Sequence, residues 1–422
     1  MVSFAKTNNV KNTRVMHFAN YSNPPSPRRY TIWFVGVFFV LFQFFLQLSS
    51  GVVIQSITEE MHLSALAAGI LGSSFYYVYT SLQIPVGILF DLKSTRMLLA
   101  CAALVCSLGC VLFAHSNSFS ALIATRLIIG AGAAFAFIGL SHLLRQHFPL
   151  NQFAFMIGLS ETLGFIITML GIISLGVLVQ QWGWRAFING ATVVGVLIAW
   201  LCWRIVPPNR KSPARQTLSH KKQFLAILRS GPIWINGLFV GLSFTVITVF
   251  GAMWAVPFIQ VKLSCDLSVA SILDSMLFLG GAISCPLFGY LAGRFKRRPI
   301  ILVSCLSTAF LIWLILFLPT RSSWLLGLLM FLIGLCCGAY MLAYSIANEQ
   351  APDGTLSTCT GFINTLAMLS APIMQPLVGF ILDWVGKDNN AHTLYAFQLA
   401  LSIVPAGLIL AAGFAMMLPE TE

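Results

Sequence analysis

Charge is what this sequence has least of. Only 9% of its 422 residues are charged, 12 of them acidic, where a water-soluble chain carries about 25%. With so little charge to cover it, the surface cannot face water as its main solvent, and a bilayer is the expected medium. The ten cysteines form no C-x-x-C pair, and all but Cys265 fall in apolar stretches. A disulfide framework and a zinc site are therefore not indicated, and these thiols serve as small hydrophobes. There is no G-x-x-x-x-G-K-[ST] phosphate loop, no H-E-x-x-H and no G-x-S-x-G. This leaves no signature of direct ATP use or of hydrolase chemistry, so no enzyme activity, metal or cofactor is expected. The net charge of +12 could suggest nucleic acid, but the bases fall in short runs between apolar spans, so no nucleic-acid partner is expected.

What is present is a series of long apolar runs. About 20 such residues cross the hydrocarbon as a helix, and twelve spans are expected, at 31–55, 65–90, 97–115, 119–143, 153–180, 184–206, 232–258, 268–292, 299–319, 323–348, 357–384 and 394–417. Helices are the default because lipid offers the backbone no partners. The fold class is thus an all-α polytopic membrane protein. With both termini placed in the cytoplasm, 19 basic residues lie inside, four outside and Arg126 within the membrane, which decides the orientation. Residues 1–29 are polar with five bases and no acid, and read as a cytoplasmic tail, not a cleaved signal. The stretch PPNRKSPARQTLSHKKQF reads as a cytoplasmic linker, 207–230, between six-helix bundles at 30–206 and 231–418, with a short tail at 419–422.

The two bundles repeat one another. GILFDLKSTR, Gly87 to Arg96, returns as GYLAGRFKRR, Gly289 to Arg298, 202 residues on; GLSETL from Gly158 returns as GFINTL from Gly361 at offset 203, with Gly176 and Gly379 eighteen residues beyond each. Each half starts on the same side, so these are parallel repeats about an axis along the membrane normal. Such an arrangement places a substrate cavity between the halves at the midplane.

These stretches resemble the major facilitator superfamily. GILFDLKSTR is similar to its loop G-x-x-x-D-R-x-G-R-R between helices 2 and 3, with Gly87, Asp91 and Arg96 matching, and Leu92 and Ser94 departing from it. The second copy keeps Gly289, Arg294, Arg297 and Arg298 but has Gly293 in place of the acid. RLIIGAGAA from Arg126 resembles R-x-x-x-G-x-G of helix 4, and GWRAF from Gly183 is common after helix 5. The resemblance implies two six-helix repeats that rock in alternating access. It also implies a conformational latch in which Asp91, with Gly87, Arg96, Gly289, Arg294 and Arg298, holds the outward-open state by meeting the helix 11 N-terminus. The alternative is that Asp91 only fixes topology.

Few ionisable groups lie within the spans. Arg126 and Glu161 are expected on adjacent helices at similar depth. Either Arg126 binds substrate charge and Glu161 carries a proton, or the two form a structural pair, and a pair that breaks on binding would do both. Asp274, in the outer third of its span, is expected to face water beyond the membrane. Gln43, Gln47 and Gln55 share a side of the first span, Tyr76, Tyr77, Tyr79 and Gln83 lie on the second, and Tyr340, Tyr344 and Asn348 form a stripe on the tenth. With Asn364, Gln375 and Trp254 these are candidate substrate contacts, helix–helix packing being the alternative. His142 and His147 are expected at a solvated interface. The expected function is proton-coupled uptake of a small anionic or zwitterionic solute: an amino acid, a peptide, a carboxylate or a carboxylate siderophore. Drug export by antiport is the second reading, which the absence of proline from the fifth span disfavours, and a transporter-like sensor is the third. An inner-membrane location and a functional monomer complete the expectation.

Overall fold

The computed structural model describes residues 28–48, 50–208, 225, 227–292, 294–351, 356–386 and 393–418. Residues 1–27 of the expected tail at 1–29, the expected tail at 419–422 and most of the linker lie outside these. The first helix already begins at Arg28, two residues inside the expected tail.

Twelve helices cross the molecule. They are α1 (Arg28–Met61), α2 (Ala65–Leu92), α3 (Thr95–Ala114), α4 (Phe119–His147), α5 (Phe155–Val179), α6 (Gln181–Ile205), α7 (Gly231–Leu263), α8 (Leu267–Ala292), α9 (Arg297–Phe317), α10 (Ser323–Ala347), α11 (Leu356–Val385) and α12 (Leu394–Met417). Eleven pass as apolar spans on length and hydropathy alone among the described residues; α2, which carries Tyr76, Tyr77, Tyr79 and Gln83, completes the set. The membrane face where α1 begins is called the tail face below, and the opposite one the far face. Phe310 and Val193 on the outer surface are more than half exposed, as lipid-facing side chains should be. Exposed aromatics mark both rims: Trp182, Trp324, Trp384 and Tyr395 at far-face helix ends, and Tyr30, Trp203, Trp234 and Tyr290 at tail-face ends. Two such belts are the signature of a bilayer-spanning surface.

Helices α5 and α6 form one continuous run, Leu150–Ile205, broken at Gly183 with φ 77°. Only glycine takes that conformation freely. The turn sets Trp184 and Arg185 against Glu60 at the end of α1, at 2.7 Å from the indole and 2.5 Å from the guanidinium. Helix α7 carries a π-helical stretch, Val246–Trp254, and α10 a 3₁₀ stretch, Cys337–Met341. Irregular backbone at this depth is tolerated only inside protein or beside a cavity, and the nine residues of the π stretch are all buried.

The halves meet along two seams, α2 against α11 and α5 against α8, and the glycines show which end is shut. On the far side, a methyl group added to Gly51 would sit 2.6 Å from the Ala252 carbonyl oxygen, and one on Gly69 2.6 Å from that of Gln375. The repeat-related Gly176 and Gly379 are pressed in the same way, against Ser271 and against the Ala65 carbonyl. Toward the tail face the repeat-related pairs Gly87 and Gly289, and Gly158 and Gly361, have nothing within 4 Å. The far face is sealed backbone to backbone, and the tail side of the seams is loosely packed.

Within the second half, α8 and α10 approach so closely that a Cβ on Gly334 would overlap the Leu277 carbonyl. Gly334→Val is expected to lower the melting temperature in detergent by roughly 2–10 °C, from about 1–3 kcal/mol of overpacking. Gly413→Val, into open space, is the control. Equal melting temperatures for the two variants would refute this packing.

Candidate functional site

The polar residues inside the bundle form two layers. The first is built on α4. Seven residues below its far end, Arg126 is buried, with Nη1 donating to the Leu46 carbonyl at 3.3 Å and Nη2 to the Gly72 carbonyl at 3.2 Å. Its guanidinium carbon stands 5.6 Å from the centre of the Phe75 ring. Nε has no partner, and no acid pairs with it among the described residues. Gln43 and Gln47, one turn apart on α1, are fully buried and hydrogen-bonded to each other, with Gln43 Oε1 left unpartnered. Gln47 continues to the Met368 sulfur on α11 at 3.4 Å, and Tyr76 lies against Gln47. From the other half, Gln375 donates to the Thr248 carbonyl at 2.7 Å and turns its unpartnered Oε1 toward Gly72, whose carbonyl holds Arg126. Arg126 also borders a cavity of about 20 Å³ with Leu46 and Phe113, room for about one water.

The second layer lies nearer the tail face. Tyr344 donates to Asn364 Oδ1 at 2.8 Å, and Asn364 Nδ2 donates to Gln83 Oε1 at 2.9 Å, a chain that crosses from one half to the other. Glu161 on α5 is buried without a hydrogen bond or a base beside it among the described residues. Tyr79, Tyr340, Tyr344 and Cys285 lie within electrostatic reach of it. Tyr340 sits in the 3₁₀ stretch of α10, which turns it toward Cys285.

Several expectations change. Arg126 and Glu161 are in different layers and do not pair; α4 and α5 run in opposite directions, and Arg126 points at α1 and α2 instead. Asp274 does not face water: it is 1% exposed, and neither carboxyl oxygen has a partner. Trp254 joins neither layer. It ends the π stretch of α7 and lines a far-face cavity of about 360 Å³ with Thr58 and Gln260. Gln55 turns to Glu59 at 2.8 Å, away from Gln43 and Gln47. The expectation for His142 does not change: it is half-buried near the tail end of α4, its ring tilted against Phe90 and hydrogen-bonded to the exposed Gln146. Of the latch residues, the Asp91 side chain lies outside what the structure describes, as do the Asn348 side chain of the tenth-span stripe and Gly293 of the second motif copy. Arg96 covers Trp203, Arg294 covers Tyr290, and Arg298 Nε donates to the Leu418 carbonyl at 2.6 Å. Each of these bases is thus held within its own half.

Asp383 on α11 was not singled out from the sequence. Its Oδ1 accepts from Ala65 N at 2.9 Å and its Oδ2 from Leu66 N at 2.8 Å, across the halves. With Ser64 accepting from Ala67 N, the first three amides of α2 are capped. The signal was there to find, since Gly379 and Asp383 repeat the G-x-x-x-D spacing of Gly87 and Asp91.

Comparison with known proteins fits this geometry. The model of the Major Facilitator Superfamily matches residues 33–375. A probable L-galactonate transporter of Escherichia coli is 24% identical, over 85% of this chain and 82% of its own. A hexuronate transporter of Bacillus subtilis is 22% identical, over 80% and 84%. An uncharacterized transporter of the same species, YybO, is 22% identical over 89% and 93%. Among solved structures, an inward-facing, occupied bacterial homolog of the human lysosomal transporter Spinster superposes with TM-score 0.76 at 15% identity, covering 93% of this chain and 97% of that one. Twelve helices in two repeated halves, sealed at one face around an internal polar core, and a family match over most of its length make this chain a member of the major facilitator superfamily.

Proposed function

We propose that this transporter takes up a small hydroxylated carboxylate of the sugar-acid type, coupled to protons, across a bacterial inner membrane with the tail face cytoplasmic. The observation that carries the reading is Arg126: a buried guanidinium with an unpartnered Nε and no acid partner among the described residues. An intramembrane charge costs at least about 2.5–3.5 kcal/mol. An anion supplies what the protein withholds, through charge-assisted hydrogen bonds, while the amides and Tyr76 suit hydroxyls. Relatives named for galactonate, hexuronate and glucarate transport support the same chemistry. The test is ligand stabilisation of purified protein by L-galactonate, D-glucarate and D-galacturonate, beside a neutral hexitol. Ligand at 100 times its dissociation constant adds about 2.7 kcal/mol. Stabilisation by the hexitol and not by the acids would overturn the anionic reading.

Glu161 is the proposed proton carrier, because it is buried in the second layer and, among the described residues, free of any base that would hold it charged. Glu161→Gln is expected to keep exchange of labelled substrate across liposomes within about twofold, and to lose pH-gradient-driven accumulation by at least about tenfold. Exchange and accumulation falling together would make Glu161 a substrate contact instead.

A further inference from the structure

Along α8 the residues Ser271, Asp274, Phe278, Gly281 and Cys285 recur at three- and four-residue steps, which is one face of a helix. That face is laid against α5. Ser271 abuts Gly176, the Phe278 ring centre is 6.3 Å from that of Phe165, and Phe165 covers Gly281. One turn on, Thr162 Oγ1 donates to the Ala282 carbonyl at 3.3 Å. Helix α5 runs from tail to far face and α8 runs back. Glu161 therefore lies one turn to the tail side of Phe165, and Asp274 one turn to the far side of Phe278. Two acids stand on one seam with two aromatic rings between them.

Asp274 is the more isolated. Both carboxyl oxygens lack a hydrogen bond, and the residue is 1% exposed. Among the described residues, the neighbouring helices bring no charge to it. The α7 base Lys262 donates to the Leu316 and Leu318 carbonyls, Glu349 just past the tail end of α10 pairs with Arg297 of α9, and Arg298 is spent on Leu418. Tyr340 and Tyr344 of α10 belong to the Glu161 layer. An ionised carboxyl sealed from water and from partners is the costly state, and such a group takes up a proton instead.

We propose that Asp274 is a proton site of its own, loaded from the far face, and that its protonation is a condition for that face to seal. This rests on the proton-coupled reading above and adds to it a second, earlier carboxyl. The step is simple acid–base chemistry: with the far face open, the carboxylate takes a proton from hydronium and leaves water, and the neutral acid is then enclosed. The sign follows from linkage. The sealed state binds one more proton than the open state, so sealing is favoured as pH falls and lost as pH rises, by up to about tenfold in the open-to-sealed ratio per pH unit.

The test uses nitroxide labels at the exposed far-face residues 120 and 321, one on each half, with the exposed Cys101 replaced. Inter-label distances in nanodiscs are recorded from about pH 5 to about pH 9, a range that brackets shifted carboxyls. Wild type is expected to gain a longer distance as pH rises, Asp274→Asn to stay at the short distance throughout, and Glu161→Gln to keep the wild-type response. Asp274→Leu, neutral and of larger volume, repeats the test if the amide does not purify. A wild-type response retained in the Asp274 variants, or no response in wild type, overturns the proposal. Galactonate exchange by the same proteins in liposomes is scored separately: intact exchange with a pH-insensitive far face sinks the proton site alone, and absent exchange overturns the substrate reading.

Discussion

Arg126→Ala is expected to reduce sugar-acid uptake by roughly 30-fold or more, while the protein remains folded. The guanidinium makes two hydrogen bonds, both to carbonyls that sit within helices, and none to an acid. Losing a charge-assisted contact to a buried anion costs about 2–5 kcal/mol, and about 2 kcal/mol is already roughly 30-fold. A structural role predicts the reverse pattern. If Arg126 only tied α4 to α1 and α2, its loss would lower the melting temperature and leave the dissociation constant unchanged. If it awaits an anion, the ligand-free melting temperature should hold or rise, because an uncompensated intramembrane charge has been removed, and ligand-induced stabilisation should vanish. Arg126→Lys keeps the charge but not the planar fork that matches a carboxylate, so it should bind detectably and more weakly than wild type. Calorimetric titration of L-galactonate into the three proteins decides among these. Unchanged affinity in the alanine variant would remove Arg126 from the site.

The twelve spans were legible because lipid imposes one rule on every stretch of backbone, and that rule is written locally in runs of about 20 apolar residues. The paired halves were legible for a related reason. Gly87 and Gly289, and Gly158 and Gly361, recur at nearly one offset, and the structure gives each pair the same open surroundings. The candidate site was legible as a set of residues but not as an arrangement. Arg126 and Glu161 looked like neighbours because each was counted in from an end of its own span, but those ends lie at opposite faces and the two residues fall in different layers. Trp254 was misplaced by the π stretch before it, which changes the rotation per residue in a way no periodicity in VITVFGAMW announces. Asp274 misled in another way. An acid near the end of a span ordinarily reaches water, and here the seam with α5 closes over it; that closure belongs to one conformation and not to the sequence.

The position of Asp383 gives that conformation a handle. Asp383→Ala is expected to shift the molecule toward an open far face by roughly 30-fold, about 2 kcal/mol for two hydrogen bonds to a partly exposed carboxylate at a helix N-terminus. Both bonds cross between halves, to Ala65 N and Leu66 N, so they exist only while the far face is shut. Helices α2 and α11 are antiparallel, so the end of each lies beside the start of the other, and each ends in a G-x-x-x-D spacing. Asp383 closes the far end of this pair. The superfamily resemblance implies a matching role for Asp91 at the tail end in the opposite state, and here Arg96, Arg294 and Arg298 are engaged within their own halves. The readout is a cysteine at position 68, buried in wild type beside the far-face cavity, reacted with a membrane-impermeant maleimide. Its labelling should accelerate in Asp383→Ala, and Asp383→Asn, which keeps one acceptor oxygen, should fall between the two. Slower transport with unchanged labelling would show that Asp383 acts elsewhere in the cycle, and equal labelling rates in all three proteins would show that glycine packing along α2 and α11 seals the far face by itself.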